Sequence, residues 1–150
     1  MASASPLTLL FIPFSFQAKA YYFFTLIDSV EIDGAPCYQI KVDPKNPMDL
    51  VFSGMVWIEA NSYALKRLSL EIGNKANLNF IEKLKIQQEF LEVEPTYWLP
   101  NKTRVLIDIA ELTNNTVGMI GLYYNSTKNI KINRVHELPF YEDNISVVEN

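Results

Sequence analysis

Residues 37–72 (CYQIKVDPKNPMDLVFSGMVWIEANSYALKRLSLEI) constrain this chain more than any other part of it. Tyr38, Ile40 and Val42 alternate with Gln39, Lys41 and Asp43, the period of two that marks a strand with one buried face. Pro44 and Pro47 stop the run, because proline removes a ladder donor and restricts the residue before it. Phe52-Ser53-Gly54 opens a second run over residues 55–59, Asn61-Ser62 turns the chain, and residues 65–72 run back. Three strands separated by turn chemistry describe a sheet built from hairpins.

The rest of the chain continues this pattern. Residues 21–28 (YYFFTLID) are strand-like in type with little alternation, as in a strand covered on both faces. Ile32-Asp33-Gly34 supplies a hairpin turn into residues 38–42. Residues 77–94 fit two templates. As a helix, Ile81, Leu84, Gln88 and Leu91 share one side, and the Glu, Gln and Lys content suits it. As a strand, Leu78, Phe80, Leu84, Ile86 and Phe90 share one face, while Asn79, Lys83, Lys85, Gln87 and Glu89 share the other. The strand template captures more of the apolar residues, so a long strand bent near Glu82 is expected. Pro95 ends it, and residues 97–100 read as a connector.

Thr103, Val105, Ile107 and Ile109 then alternate with Arg104, Leu106, Asp108 and Ala110, and Asn114-Asn115-Thr116 is a turn. Residues 117–124 read as a strand in which Gly118 and Gly121 mark places to bulge or bend. Ile130 and Ile132 extend it or begin another, and residues 137–150 read as a tail or linker. The fold class expected is all-β with room for one short helix. Its architecture would be a curved antiparallel meander, half-barrel-like, in a single domain over residues 1–150. Curvature is expected because a flat open sheet of this size leaves sticky edges and an uncovered apolar face.

Composition narrows the function classes. Hydrophobic residues make up 49% and charged residues 20% of the chain, too apolar for disorder. A formal charge of -4 argues against a nucleic-acid partner, which needs a basic surface. The single cysteine, Cys37, leaves no intrachain disulfide or Cys-rich zinc site and reads as a small buried residue. Residues 7–16 are apolar and are followed by Ala18-Lys19-Ala20, which imitates a signal cleavage site. Residues 1–6 hold no Lys or Arg and Pro13 interrupts the run, so it reads as folded sequence and Met1 as an internal position. The run is too short to span a bilayer.

No reactive constellation stands out. His136 is the only histidine and sits in a polar segment without a nucleophile elbow elsewhere. No phosphate loop or dinucleotide glycine pattern occurs. Glu89, Glu92 and Glu94 are the carboxylates that a hydrolase would have to use, but Glu92 and Glu94 lie at a strand end where solvation is the ordinary state. The remaining candidate is an apolar surface. Trp57, Leu84, Ile86, Phe90, Val105, Ile107 and Tyr123 would either form the core or line a groove on the concave side for an acyl chain or a protein strand. No cofactor or metal is expected.

The chain also resembles a family. Ser5-Pro6-Leu7, Tyr21-Tyr22, Tyr38-Gln39-Ile40, Pro44-Lys45, residues 49–54 (DLVFSG), Val56-Trp57-Ile58 and residues 63–67 (YALKR) carry the likeness in order. Residues 76–80 (ANLNF), 86–90 (IQQEF) and Trp98-Leu99-Pro100 continue it. Together these span about residues 5–134 and resemble the DUF5686 family of Gram-negative outer-membrane-associated proteins with a carboxypeptidase-like regulatory domain. The resemblance implies an internal piece of a longer protein, with a β-sandwich before it and a membrane β-barrel after it, and no established activity. It implies a periplasmic or outer-membrane location for that parent protein. A weaker likeness, at the level of fold only, is to lipoprotein carriers such as LolA. The expectation is therefore a non-enzymatic periplasmic β-sheet domain, acting as a scaffold or as a platform for lipid, lipoprotein or envelope partners. The alternative is a module that pairs its strand edges with neighbouring domains of the same longer protein.

Overall fold

A computed structural model of the chain describes residues 18–72, 81–110 and 118–132. The apolar run 7–16, Leu78, Phe80, the turn at Asn114-Asn115-Thr116, His136 and the tail 137–150 lie outside the described residues.

A one-turn helix, α1 (Ala18–Tyr21), leads into seven strands: β1 (Tyr22–Ile32), β2 (Ala35–Pro44), β3 (Ser53–Glu59), β4 (Leu65–Ile72), β5 (Ile81–Glu94), β6 (Tyr97–Ile109) and β7 (Met119–Ser126). They form one sheet in sequence order, and every neighbouring pair is antiparallel. Among the described residues the sheet does not close, and β1 and β7 are its outermost strands. The all-β meander expected from the alternation is what forms, and the described part of residues 77–94 is strand.

Several local readings change. Residues 97–100 are the first part of β6, because β5 and β6 pair as far out as Glu94 with Tyr97 and the turn between them is only Pro95-Thr96. Thr96 turns the chain at a φ of 75°. Gly121 marks no bulge: β6 and β7 keep one register from Lys102–Ser126 to Ile109–Met119. Strand β7 stops at Ser126, and neither Ile130 nor Ile132 is in a strand. Strand β1 is an edge with Phe23, Phe24, Leu26 and Ile27 exposed, so its lack of alternation does not reflect cover on both faces.

The bends fall elsewhere. The register skips Ile27 in β1, Lys66 in β4, Glu82 and Val93 in β5, and Asn101 in β6. An unpaired extra residue bends the strand that carries it and increases the local twist. The one at Glu82 lies where the alternation of β5 breaks in the sequence.

Register assigns the two faces. Val42, Gly54, Leu70, Ile86, Val105 and Tyr123 form one cross-strand row. Residues paired across strands share a face, so this row defines the apolar side. Here Tyr22, Val42, Val56, Leu68, Leu70 and Ile72 form the core, and the β2–β3 connection folds Val51 and Phe52 over them. Ala18 of α1 packs into the same cluster. The Phe52 backbone N–H donates to the buried Tyr22 Oη at 3.1 Å, which satisfies a group that the loop would otherwise leave orphaned. Burial also pushes the Tyr22 hydroxyl pKa up. Each fully buried Val, Leu, Ile or Phe side chain of this cluster contributes about 1.5–3 kcal/mol by leaving water.

Gly54 has a specific structural job. Its φ is 145°, and a Cβ there would run into the backbone carbonyl oxygen of Ser69 on β4. Only glycine lets β3 approach β4 so closely.

Candidate functional site

On the opposite face, the same register builds a polar ladder. Trp57 of β3 pairs with Arg67 of β4, Arg67 with Glu89 of β5, Glu89 with Lys102 of β6, and Lys102 with Ser126 of β7. The next row is Met55, Ser69, Gln87, Arg104 and Tyr124. Trp57, Arg67, Glu89 and Lys102 of the first row and Ser69, Gln87, Arg104 and Tyr124 of the second line a depression of about 380 Å³.

Charge pairing orders the depression. One carboxylate oxygen of Glu89 meets Arg67 Nη2 at 3.3 Å, and the other accepts from Lys102 Nζ at 2.8 Å. That hydrogen bond to Glu89 holds the Lys102 pKa above its ordinary value. The Arg67 guanidinium lies 6.0 Å from the Trp57 ring centre, and Arg104 lies 5.3 Å from that of Tyr124, distances at which a ring face attracts a cation. Ser69 Oγ accepts from Gln87 Nε2 at 3.3 Å. Arg67 Nε is buried and has no hydrogen-bond partner among the described residues.

The bulge in β4 falls at Lys66. Lys66 is only 7% exposed, yet its Nζ reaches Asp33 in the β1–β2 turn at 3.2 Å and sits 5.6 Å from the Trp98 ring centre on β6. One side chain thus joins the first hairpin to the sixth strand, which shows how far the sheet curls here. Cys37, opposite Glu59 in the β2–β3 register, is buried as expected, and burial raises its thiol pKa. Glu59 caps the β3–β4 turn: it accepts from the Asn61 and Ser62 backbone N–H groups, from Asn61 Nδ2 and from Ser62 Oγ. The Ser62 bonds contribute most to lowering its pKa to about 2.

The seven residues expected to share a groove do not share a face. Leu84 pairs with Ile107, Ile86 with Val105, and Val105 with Tyr123, all on the apolar side. Phe90 joins them beyond the Asn101 bulge, and Leu84, Ile86 and Phe90 pack against the core. Trp57 pairs with Gln39 and Arg67 and projects from the other side. Parity along single strands was readable in the sequence, but the relation between strands needed the register.

Two of the three carboxylates considered for hydrolysis have structural partners. Glu89 holds two cations, and Glu92 accepts from the Thr96 N–H at 3.2 Å in the β5–β6 turn. Among the described residues no group of three His, Cys, Asp or Glu could hold a metal ion. No helix of the described residues is long and apolar enough to cross a membrane, which says nothing about strands. The residues that the sequence reading missed as a site are Arg67, Lys102, Arg104 and Tyr124. Their signal was the alternation of β5 and β6, whose polar members only meet once 89 is set opposite 102.

The second exposed feature is the β7 edge. Met119, Ile120, Leu122, Tyr123 and Tyr124 are all exposed, Ile120 at 69% and Leu122 at 72%. Its sequence, MIGLYYNS, contains no charge and no proline.

Comparison with known proteins gives one match. The model of a family described as "Family of unknown function (DUF5686)" matches residues 7–130. No curated protein and no solved structure matches the chain, so the likeness to lipoprotein carriers finds no counterpart there.

Proposed function

The chain belongs to the DUF5686 family, a family of unknown function, and from that premise and the geometry above we propose that it is a non-enzymatic β-sheet scaffold. In this reading it is a domain of an outer-membrane-associated protein on the periplasmic side, and it holds neighbouring parts of that protein or envelope partners by strand pairing. The periplasmic setting rests on the family resemblance of the sequence.

One observation carries the proposal: among the described residues the open sheet ends in β7, an edge strand without charge or proline whose apolar side chains face solvent. An unprotected edge is a template for another strand, and folded proteins ordinarily blunt it with Lys, Pro or a bulge. The β6–β7 register contains no bulge. Main-chain pairing along β7 would satisfy its outward N–H and C=O groups and cover its apolar side chains together. The non-enzymatic part is supported by Glu89 and Glu92, which are engaged in ion pairs and in a turn.

The test is in-cell crosslinking from a photoreactive residue at position 120 in the natural gene product. An adduct within the same polypeptide or to an envelope protein is the expected result. Tyr123→Lys, which adds a charge on the same edge opposite Val105 of β6 and leaves position 120 free for the probe, should abolish the association while leaving the chain folded. A protein that forms no adduct from position 120, or whose adducts survive the lysine, overturns the proposal.

A further inference from the structure

We propose that the polar face of β4–β7 binds an anionic amphiphile: a phosphate or carboxylate headgroup carrying a hydrocarbon chain. The inference rests on the scaffold reading above and names a ligand for the sheet's polar face, which includes Leu122 and Tyr124 of β7.

Charge is the first observation. The depression is lined by three cations, Arg67, Lys102 and Arg104, and by one carboxylate, Glu89, in a chain whose formal charge is -4. An ion-pair ladder that served the sheet alone would balance its charges. Here Glu89 is shared by Arg67 and Lys102, and Arg104 has no ion-pair partner among the described residues; its guanidinium rests against Tyr124. Charged donors of this kind make short, strong bonds to phosphate and carboxylate oxygens.

Continuity is the second. A further depression of about 410 Å³ adjoins the first and shares Gln87, Arg104 and Tyr124 with it. Its remaining lining is Lys85, Leu106 and Leu122, and Leu106 and Leu122 face each other across β6 and β7. Arg104 borders both depressions, so a headgroup held there would lead its tail onto the leucines. Along β6, Lys102, Arg104 and Leu106 occupy successive positions on this face, and four residues of strand cover about 13 Å. That length accommodates a headgroup followed by several methylene groups. A free inorganic anion would leave the leucines uncovered, and a neutral chain would leave the extra positive charge unmatched.

The test is calorimetric titration of the full chain with three probes: monomeric decyl phosphate, inorganic phosphate and 1-decanol. Saturable binding of one decyl phosphate per chain is expected, at least about ten times tighter than either of the others. Arg104→Gln should weaken decyl phosphate about tenfold or more, the loss of one charge-assisted contact. Lys102→Gln, as a second variant, should act in the same direction, with the urea midpoint of each variant confirming the fold. Leu122→Asn should weaken decyl phosphate and leave inorganic phosphate unchanged. Equal affinity for inorganic phosphate, or indifference to both cation variants, overturns the proposal. So does co-sedimentation with phosphatidylglycerol vesicles in the absence of decyl phosphate binding, which would make the face a membrane-surface patch. Adducts from position 120 do not depend on these outcomes, so the two proposals fail separately.

Discussion

Replacing Gly54 with alanine tests the architecture at its tightest point. Gly54 sits between Val42 of β2 and Leu70 of β4, at a φ of 145°. An added Cβ meets the Ser69 carbonyl oxygen, with the Leu70 Cα 3.1 Å away. Backbone held in a conformation that L-residues rarely adopt costs about 1–3 kcal/mol. Overpacking adds about 1–3 kcal/mol, and the obstacle is backbone, so no side chain can rotate aside. A destabilisation of about 3 kcal/mol or more is therefore expected. Gly34 is the control: its φ is 77°, and a Cβ there meets nothing within 4 Å. Gly34→Ala should show the left-handed penalty alone, about 1–2 kcal/mol. Urea unfolding followed by far-UV circular dichroism measures both. With slopes of about 1–3 kcal/mol/M for small proteins, Gly54→Ala should lie well below Gly34→Ala in midpoint. Equal midpoints for the two variants would refute the close approach of β3 and β4.

Tyr22→Phe leaves the buried Phe52 N–H without its acceptor and should destabilise the chain by about 1–3 kcal/mol in the same assay; an unchanged midpoint would mean that the loop N–H finds another partner. Glu59→Gln should flatten the acid limb of stability. The Glu59 pKa is lowered from 4.5 to about 2, so its contribution is present above pH 4.5 and is lost as pH falls towards 2. Urea midpoints measured across that window should fall more steeply for the wild type than for the variant, and parallel curves would contradict the turn-cap role.

Much of the fold was legible because alternation is a local signal. Residues 38–42, 65–72 and 103–109 announce their faces through side-chain identity alone, and the break in alternation at Ile81 and Glu82 marked a bulge that the pairing contains. Tyr97 to Pro100 failed for the converse reason: proline and aromatic residues imitate a connector, whereas the pairing of Phe90 with Pro100 and Leu91 with Leu99 carries them into the ladder. The candidate site was less legible because it lives between strands. Arg67, Glu89 and Lys102 are far apart in sequence, and a one-residue shift of register would send one of them to the core side. Trp57 shows the cost of leaving register out. Its bulk suggested an apolar groove, but its pairing with Arg67 puts it against a guanidinium on the polar face.

Hydrogen–deuterium exchange across β7 tests the central claim most directly. The chain should be measured alone and in a cell-envelope preparation, the setting that the proposal assigns to it. Alone, the outward amides of Met119–Ser126 should exchange at the rate of an open edge; in the natural setting they should become protected, while β3 and β4 stay as they were. A β7 that exchanges equally fast in both states would contradict a scaffold that works by extending its sheet.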